Sequence, residues 1–162
     1  MDSHWLAWLG GLVDGEGTIG LHRSNAKRFK HPYIGPHIQI VNTDTRLLHK
    51  AADIIEGVTG KHPSLVVSNK GGNGQKRGYR LKVGTQWEAV MLLPILRPYL
   101  VGKGEQADIV LAFAKRKYAR LRYQWYEHAA EDQADYAKCL ALNRRGADQL
   151  EQMMSAQPEE DS

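Results

Sequence analysis

Two carboxylates stand close together near the start of the chain, at Asp14 and Glu16. They follow an apolar segment that begins near Trp5 and has the spacing of one helix face. An acidic group at the carboxyl end of a helix opposes the helix dipole, so a carboxylate held there usually has a cation to bind. The pattern therefore predicts a helix that ends in a cation-binding acidic turn.

Two adjacent glycines, Gly10 and Gly11, lie inside this predicted helix. Each glycine in a helix interior costs roughly 1 kcal/mol relative to alanine, so a compensating contact is expected. Glycine allows two backbones to approach closely. We therefore predict that this helix packs against another helix at its two glycines.

The charge of the chain is positive and unevenly distributed. The formal net charge is +4, but all 22 lysines and arginines precede residue 151, where only 14 of the 18 acidic residues lie. Residues 18–85 contain twelve basic and three acidic side chains. A field of that sign attracts phosphate, so nucleic acid is the expected partner.

Several classes of protein are excluded by composition. The single cysteine, Cys139, leaves no disulfide framework and no cysteine-based zinc site, and we predict that it is a small buried residue of a late helix. No apolar run is long enough to span a bilayer, and the N-terminus lacks the pattern of a signal peptide. We expect an intracellular protein with no membrane partner and no small-molecule cofactor.

Hydrophobic periodicity predicts an α+β chain in the order αββαββα with extra C-terminal helices. The predicted strands cover 18–24, 33–41, 64–69 and 79–83. The predicted helices cover 5–14, 86–93, 105–127 and 135–154. A further helix is predicted to start after Thr43 or Asp44 and to end between 57 and 60, and a turn is predicted over 94–98. Residues 1–154 are expected to form one domain, and 155–162 a disordered acidic tail.

Residues 9–17 read LGGLVDGEG and directly precede a predicted strand. This segment closely resembles the signature of the LAGLIDADG homing endonucleases. Five of its nine residues are identical to the signature, and the other four are conservative replacements. The identical residues are Leu9, Gly11, Leu12, Asp14 and Gly17. The alternative is an ordinary amphipathic helix that ends in a glycine-rich turn. The resemblance covers roughly the first 125 residues and implies a curved antiparallel sheet whose concave face lies in the DNA major groove.

The polar sides of the predicted strands suit that role, because Arg and Lys can read guanine edges and Gln can read adenine. The predicted base-contacting residues are Gly20, His22, Ser24, Tyr33, His37, Gln39, Arg80 and Lys82. The predicted phosphate-contacting residues lie in loops and are Lys27, Arg28, Lys30, Lys70, Lys76 and Arg77. The alternative is that the polar sides are only the solvated face of an antiparallel sheet.

The resemblance also implies a catalytic site. Glu16 takes the family's metal-ligand position, with the carbonyl of Gly15 as a further oxygen ligand for Mg²⁺, for which Mn²⁺ or another divalent cation can substitute. Lys103 and Arg46 match basic positions beside the scissile phosphate, and Asn42 lies where a glutamine is often found. The alternative for the two basic residues is ordinary surface charge at helix starts.

Only one copy of the signature is present, which in this family implies a homodimer. Two strand scissions related by a two-fold axis need two copies of each group, and a symmetric dimer supplies both. The predicted interface residues are Leu9, Gly10, Gly11, Val13 and Asp14, of which Asp14 is expected to support the helix end rather than bind metal.

The sequence therefore predicts a Mg²⁺-dependent endonuclease that makes double-strand breaks at a long, nearly palindromic DNA target, as in intron or intein homing. The alternative is a non-cleaving intron maturase, or another RNA- or DNA-binding protein of the same fold. The acidic turn and Lys103 favour the enzyme, because a maturase need not retain either.

Overall fold

The chain alternates helices and strands in the predicted αββαββα order, followed by further helix. A computed structural model describes residues 2–24, 33–120 and 130–155, with side chains described as far as residue 144. The helices are α1 (Ser3–Glu16), α2 (Thr45–Thr59), α3 (Gln86–Leu96), α4 (Gly104–Tyr118) and α5 (Ala130–Ser155), and a 3₁₀ turn covers Arg97–Tyr99. The strands are β1 (Gly17–Ser24), β2 (Tyr33–Asn42), β3 (Ser64–Asn69) and β4 (Gly78–Val83).

The four strands form one antiparallel sheet in the order β1-β2-β4-β3, so that β1 and β3 are its edges. Ile19 lies opposite Ile38, and Ile40 lies opposite Leu81. These apolar residues share one face because side chains alternate along a strand. That face and the helices packed on it enclose the core.

Local capping signals fix where the helices begin. The side chain of Asp44 accepts a hydrogen bond from the Arg46 amide at the start of α2, which selects Asp44 over Thr43 as the cap. Thr85 and Glu88 form a reciprocal capping box at the start of α3. Gly60 ends α2 in the left-handed conformation, with φ of 71°.

The predicted turn over 94–98 is wrong, because α3 runs through Pro94 to Leu96 before the 3₁₀ turn. Proline removes one helical hydrogen bond, but Leu93 and Leu96 on the same helix are fully buried, and their burial offsets the loss. Packing thus overrides the local breaker.

The later helices also differ from their predicted limits. The helix predicted over 105–127 begins at Gly104 and ends at Tyr118, and residues 121–129 lie outside the described part of the chain. The last helix begins at Ala130 rather than 135. Ser155 of the predicted tail ends α5, and residues 156–162 are not described.

A buried cluster of charges joins α4 to α5, which the sequence analysis did not anticipate. The side chains of Lys117 and Asp132 are both 0% exposed, and Lys117 Nζ lies 2.8 Å from Asp132 Oδ2. Arg116 and Arg120 each approach the same carboxylate at 3.2 Å. Burial disfavours the charged form of Asp132, but these cations together hold the pKa of its carboxyl below the ordinary value.

Cys139 of α5 is buried, as predicted, and burial raises the pKa of its thiol to about 11. No helix in the described ranges is long and apolar enough to cross a membrane.

Removing Asp132 should destabilise the α4–α5 junction. We expect Asp132→Ala to lower the free energy of unfolding by about 3–5 kcal/mol, because the buried Lys117 ammonium would lose its ion pair with Asp132. Urea denaturation at neutral pH measures this. The control is Glu131→Ala, whose side chain is 62% exposed and pairs with Arg116 at the surface, and it should cost about 0–1 kcal/mol.

Acidification provides a second readout of the same group. A carboxyl with a lowered pKa stabilises the fold fully above its unfolded pKa of about 3.9, and the contribution is lost as the pH falls through the folded value. The deficit of Asp132→Ala should therefore shrink at low pH. An equal loss of stability in both variants at neutral pH would contradict this role for the cluster.

Candidate nucleic-acid and metal site

The acidic turn lies where α1 passes directly into β1. Gly17 follows the last helical residue, and its amide bonds the carbonyl of Val13. A Cβ at Gly17 would come within 2.6 Å of that carbonyl oxygen, so only glycine fits this junction. Glu16 is exposed, and among the described residues it makes no hydrogen bond or ion pair. Its carboxylate is free to take a ligand.

Asp14 attaches this turn to the start of α4. Its carboxylate accepts hydrogen bonds from three consecutive backbone amides: Val101 at 2.6 Å, Gly102 at 3.1 Å and Lys103 at 3.0 Å. The Lys103 ammonium donates to the backbone carbonyl of Asp14. Burial lowers the pKa of Lys103, against the attraction of Asp14. Only the resemblance to the family implied that Lys103 lies near the turn. In the structure, its hydrogen bonds with Asp14 hold it there.

Asn42 and Arg46 lie at the same end of the sheet. Gly17 pairs with Ile40, which is two residues before Asn42 at the end of β2. The side-chain Oδ1 of Asn42 accepts a hydrogen bond from the Asp44 amide at 2.8 Å. The exposed Arg46 guanidinium forms a two-point ion pair with Asp44, which holds the pKa of that carboxyl at about 2. Asp44 therefore engages both residues, which no pattern in the sequence indicates.

The predicted base-contacting residues lie on one face of the sheet, which we call the polar face. The cross-strand pairs Gly20–His37, Ser24–Tyr33 and Gln39–Lys82 establish the alignment, since paired residues share a face. The polar face carries all eight predicted base-contacting residues, which are Gly20, His22, Ser24, Tyr33, His37, Gln39, Arg80 and Lys82.

The middle of the polar face is cationic and incompletely hydrogen-bonded. Within the described part of the chain, Gln39 Oε1 and Arg80 Nε are buried without a hydrogen-bond partner. The rings of His22 and His37 lie 5.7 Å apart. Burial, followed by the charges of His22, Lys82 and Arg80, lowers the pKa of His37. Unpaired polar atoms in such a field are suited to an anionic, hydrogen-bonding ligand.

Two of the predicted base-contacting residues have other neighbours within the chain. The ring of Tyr33 lies across Gly35, so a Cβ on Gly35 would come within 2.6 Å of that ring. The Tyr33 hydroxyl accepts a hydrogen bond from Gln86 Nε2 at 2.7 Å. Gly20 is buried, with Asn143 of α5 beside it. Tyr33 therefore forms a fixed wall of the polar face, and Gly20 offers no side chain to a ligand.

The loop between β3 and β4 is a tight turn rather than an open glycine-rich loop. Asn73 and Gly74 have φ of 49° and 81°, and Gly72 and Gln75 pair on either side of them. Positive φ at both central residues is typical of a type I′ turn. The loop's basic residues, Lys70, Lys76 and Arg77, are exposed. The loop residues Lys27, Arg28 and Lys30 lie outside the described residues.

The predicted interface on α1 needs correction. Leu9 and Val13 are buried in the core of the same chain. A Cβ on Gly10 would come within 2.6 Å of Tyr99, so the close approach predicted there is made to the 3₁₀ turn of the same chain. Gly11 has open space beside it, as does Gly15 one turn later. Helical periodicity puts the positions 7, 11 and 15 on one outward stripe of small residues.

One chain supplies few ligands for a metal ion. Among the described residues, no group of three or more His, Cys, Asp or Glu side chains is placed to hold one. Glu16 does contribute a free, exposed carboxylate next to the exposed Gly15. Carboxylate and carbonyl oxygens are the ligands that Mg²⁺ prefers, so the donor types fit. The neighbouring Asp14 carboxylate is occupied by three backbone amides.

No family model matches the sequence, and no curated protein matches it. Solved structures do match the fold. The homing endonuclease I-CvuI in complex with the I-CreI target superposes with a TM-score of 0.61 at 20% identity, over 87% of this chain and 85% of that one. I-CvuI with its target Sro1.3 superposes with a TM-score of 0.53 at 21% identity, over 71% of this chain and 70% of that one. The group I intron-encoded homing endonuclease I-CeuI with DNA superposes with a TM-score of 0.54 at 13% identity, over 70% of this chain and 55% of that one. This chain therefore has the LAGLIDADG homing endonuclease fold, as the signature in residues 9–17 predicted.

Proposed function

We propose that this chain is a site-specific DNA endonuclease that makes double-strand breaks at a long, nearly palindromic target, as in intron or intein homing. The observation that carries the proposal is the free Glu16 carboxylate, with Lys103 bonded to Asp14 two residues earlier, at the end of a sheet with a cationic polar face. The similar structures of I-CvuI and I-CeuI are DNA complexes, which supports DNA as the ligand of this face.

Glu16 and the Gly15 carbonyl are the proposed ligands of a divalent cation, Mg²⁺ or a substitute such as Mn²⁺. Such an ion, when bound, acts as a Lewis acid toward phosphate oxygen and makes water a stronger nucleophile at neutral pH. Lys103 places positive charge where the attacked phosphate gains negative charge. Asn42 and Arg46, at the same end of the sheet, orient the phosphate and the attacking water.

The polar face supplies sequence recognition. Arg80 and Lys82 reach guanine edges, and Gln39 reaches adenine, because these side chains match the hydrogen-bonding groups that those bases present. Gln39 and Arg80 both lie on the polar face, where Gln39 is directly opposite Lys82 on the neighbouring strand. Lys70, Lys76 and Arg77 in the β3–β4 turn contact phosphates, as do Lys27, Arg28 and Lys30.

Double-strand cleavage requires a second acidic turn, and a symmetric dimer provides it. We place the dimer interface on the outward stripe of α1, at Ala7, Gly11 and Gly15, rather than on the buried Leu9, Gly10 and Val13. Small residues allow the two α1 helices to approach closely, which would bring both Glu16 carboxylates to one place and complete the ligand set for the cation.

Substitution of Glu16 tests the catalytic assignment. We expect Glu16→Gln to abolish cleavage while leaving specific DNA binding within about tenfold, because the carboxylate serves the metal and the sheet supplies affinity. A target is first selected from a randomised duplex library, and cleavage and binding are then measured with Mg²⁺. The control is Asp53→Asn, an exposed carboxylate of α2, which should cleave normally. Continued cleavage by Glu16→Gln would remove Glu16 from the mechanism.

A bulky residue on the outward stripe tests the dimer. Gly11→Leu should separate the two α1 helices and weaken the dimer by about 1–3 kcal/mol or more, which is roughly 5–150-fold in dissociation constant. Analytical ultracentrifugation measures this, with circular dichroism to show that the fold is retained. Ala137→Leu, at an exposed position of α5, is the matched control. An unchanged dimer in Gly11→Leu would place the interface elsewhere.

Two basic residues distinguish base reading from phosphate binding. Arg80→Ala should lose about 1–3 kcal/mol on the preferred sequence and relax preference at one position. Lys76→Ala should weaken binding to all sequences alike and lower the salt slope by about one. Affinities for a panel of single-base target variants at several salt concentrations measure both. Uniform weakening by Arg80→Ala, with preference unchanged, would mean that Arg80 does not face the bases.

A further inference from the structure

The polar face has a gap at Gly20, and a residue from the far end of the chain fills it. Gly20 stands opposite His37, in the part of the face where His22 also lies. A Cβ built on Gly20 would come within 3.0 Å of Asn143 Nδ2, and within 4 Å it would meet no other group among the described residues. The amide of Asn143 therefore occupies the place that a side chain of residue 20 would take.

Helix α5 reaches this position by following the free edge of β1. Asn143 Nδ2 donates to the carbonyl of Ile19 at 3.5 Å. One helical turn earlier, the Cys139 thiol is buried, and the Leu21 backbone amide is the group that favours its thiolate form. Residues four apart lie on the same side of a helix, so α5 presents both side chains to the edge strand. Backbone groups at a sheet edge lack partners within the sheet, and α5 provides them here.

The position of Asn143 is fixed by the rest of α5. The buried Lys117–Asp132 ion pair attaches the first turn of α5 to α4, and Cys139 is buried against the sheet. A recognition group is effective only when its supporting elements are rigid. Asn143 itself is exposed, and its amide adjoins Gly20, which lies on the polar face.

We propose that Asn143 reads a base from α5, in place of the side chain that Gly20 lacks. The amide nitrogen has two hydrogens, of which one is directed to Ile19 and the other is available, and the amide oxygen can accept a hydrogen bond. An asparagine amide with a free donor and a free acceptor matches the N7 and N6 groups of adenine. This inference rests on the proposed function, that the polar face binds DNA.

The test compares base preferences selected by binding. The full chain, Asn143→Ala and Asn143→Ser are each used to select targets from a randomised duplex library in Ca²⁺. Both variants should lose a preference for adenine at one position of each half-site, by roughly 5–150-fold, with the other positions unchanged. Ala141→Asn, which adds an amide at an exposed position of the same helix, should keep the wild-type profile.

Gly20→Ala gives an independent readout, because its methyl carbon would lie 3.0 Å from Asn143 Nδ2 and the amide would have to shift. It should change preference at the same base pair as Asn143→Ala, and thermal melting shows whether each variant is folded. A wild-type profile in folded Asn143→Ala or Asn143→Ser would overturn the inference and leave Asn143 as an edge cap only. If the wild-type chain selects no DNA sequence, the proposed function fails, and the inference fails with it.

Discussion

The hydrogen bonds between the Asp14 carboxylate and three backbone amides determine the geometry of the candidate site. Asp14 lies near the carboxyl end of α1, where a negative charge is unfavourable, but it also lies at the amino end of α4, where it is favourable. Val101, Gly102 and Lys103, the three residues before α4, donate to it, and the Lys103 ammonium donates to the backbone carbonyl of Asp14 in return. The acidic turn and Lys103 are thereby fixed to each other. Glu16, two residues later, is left free for a ligand.

Helix α1 has two functions that its periodicity keeps apart. Leu9 and Val13 lie in the core and anchor the helix to the sheet. Gly11 and Gly15 face open space on the other side. The helix can therefore pack firmly within its own chain and still present a surface on which a second backbone could approach. Gly10 belongs to the first side, because Tyr99 leaves no room for a Cβ there.

The two faces of the sheet differ in the same way. One face is apolar and covered by helices, and the other carries cationic and amide side chains whose partners are incomplete. The ion pairs between α4 and α5 connect the two properties. They hold α5 along the edge strand, and α5 then adds Asn143 to the polar face. The buried charges thus affect the polar face through the position of α5.

The sequence by itself determined the features that depend on neighbours along the chain. Alternation in β1, β2 and β4 identified the polar face, including Arg80 and Lys82, because strand periodicity is local. The order of helices and strands, the helix cap at Thr43 or Asp44 and the acidic turn before a strand followed from equally local patterns. The resemblance of residues 9–17 to a known signature supplied the fold, and the structural comparisons confirm it.

Tertiary structure decided which distant residues meet. Periodicity shows that Gly10 lies on a helix face, but it cannot show that Tyr99 is its neighbour. The contacts of Asp14 with Lys103, of Lys117 with Asp132 and of Asn143 with Ile19 are likewise invisible in the sequence. A glycine carries no side chain to indicate what approaches it, and a charged residue looks solvated until packing buries it. These contacts exist only because the core fixes how the helices lie against the sheet.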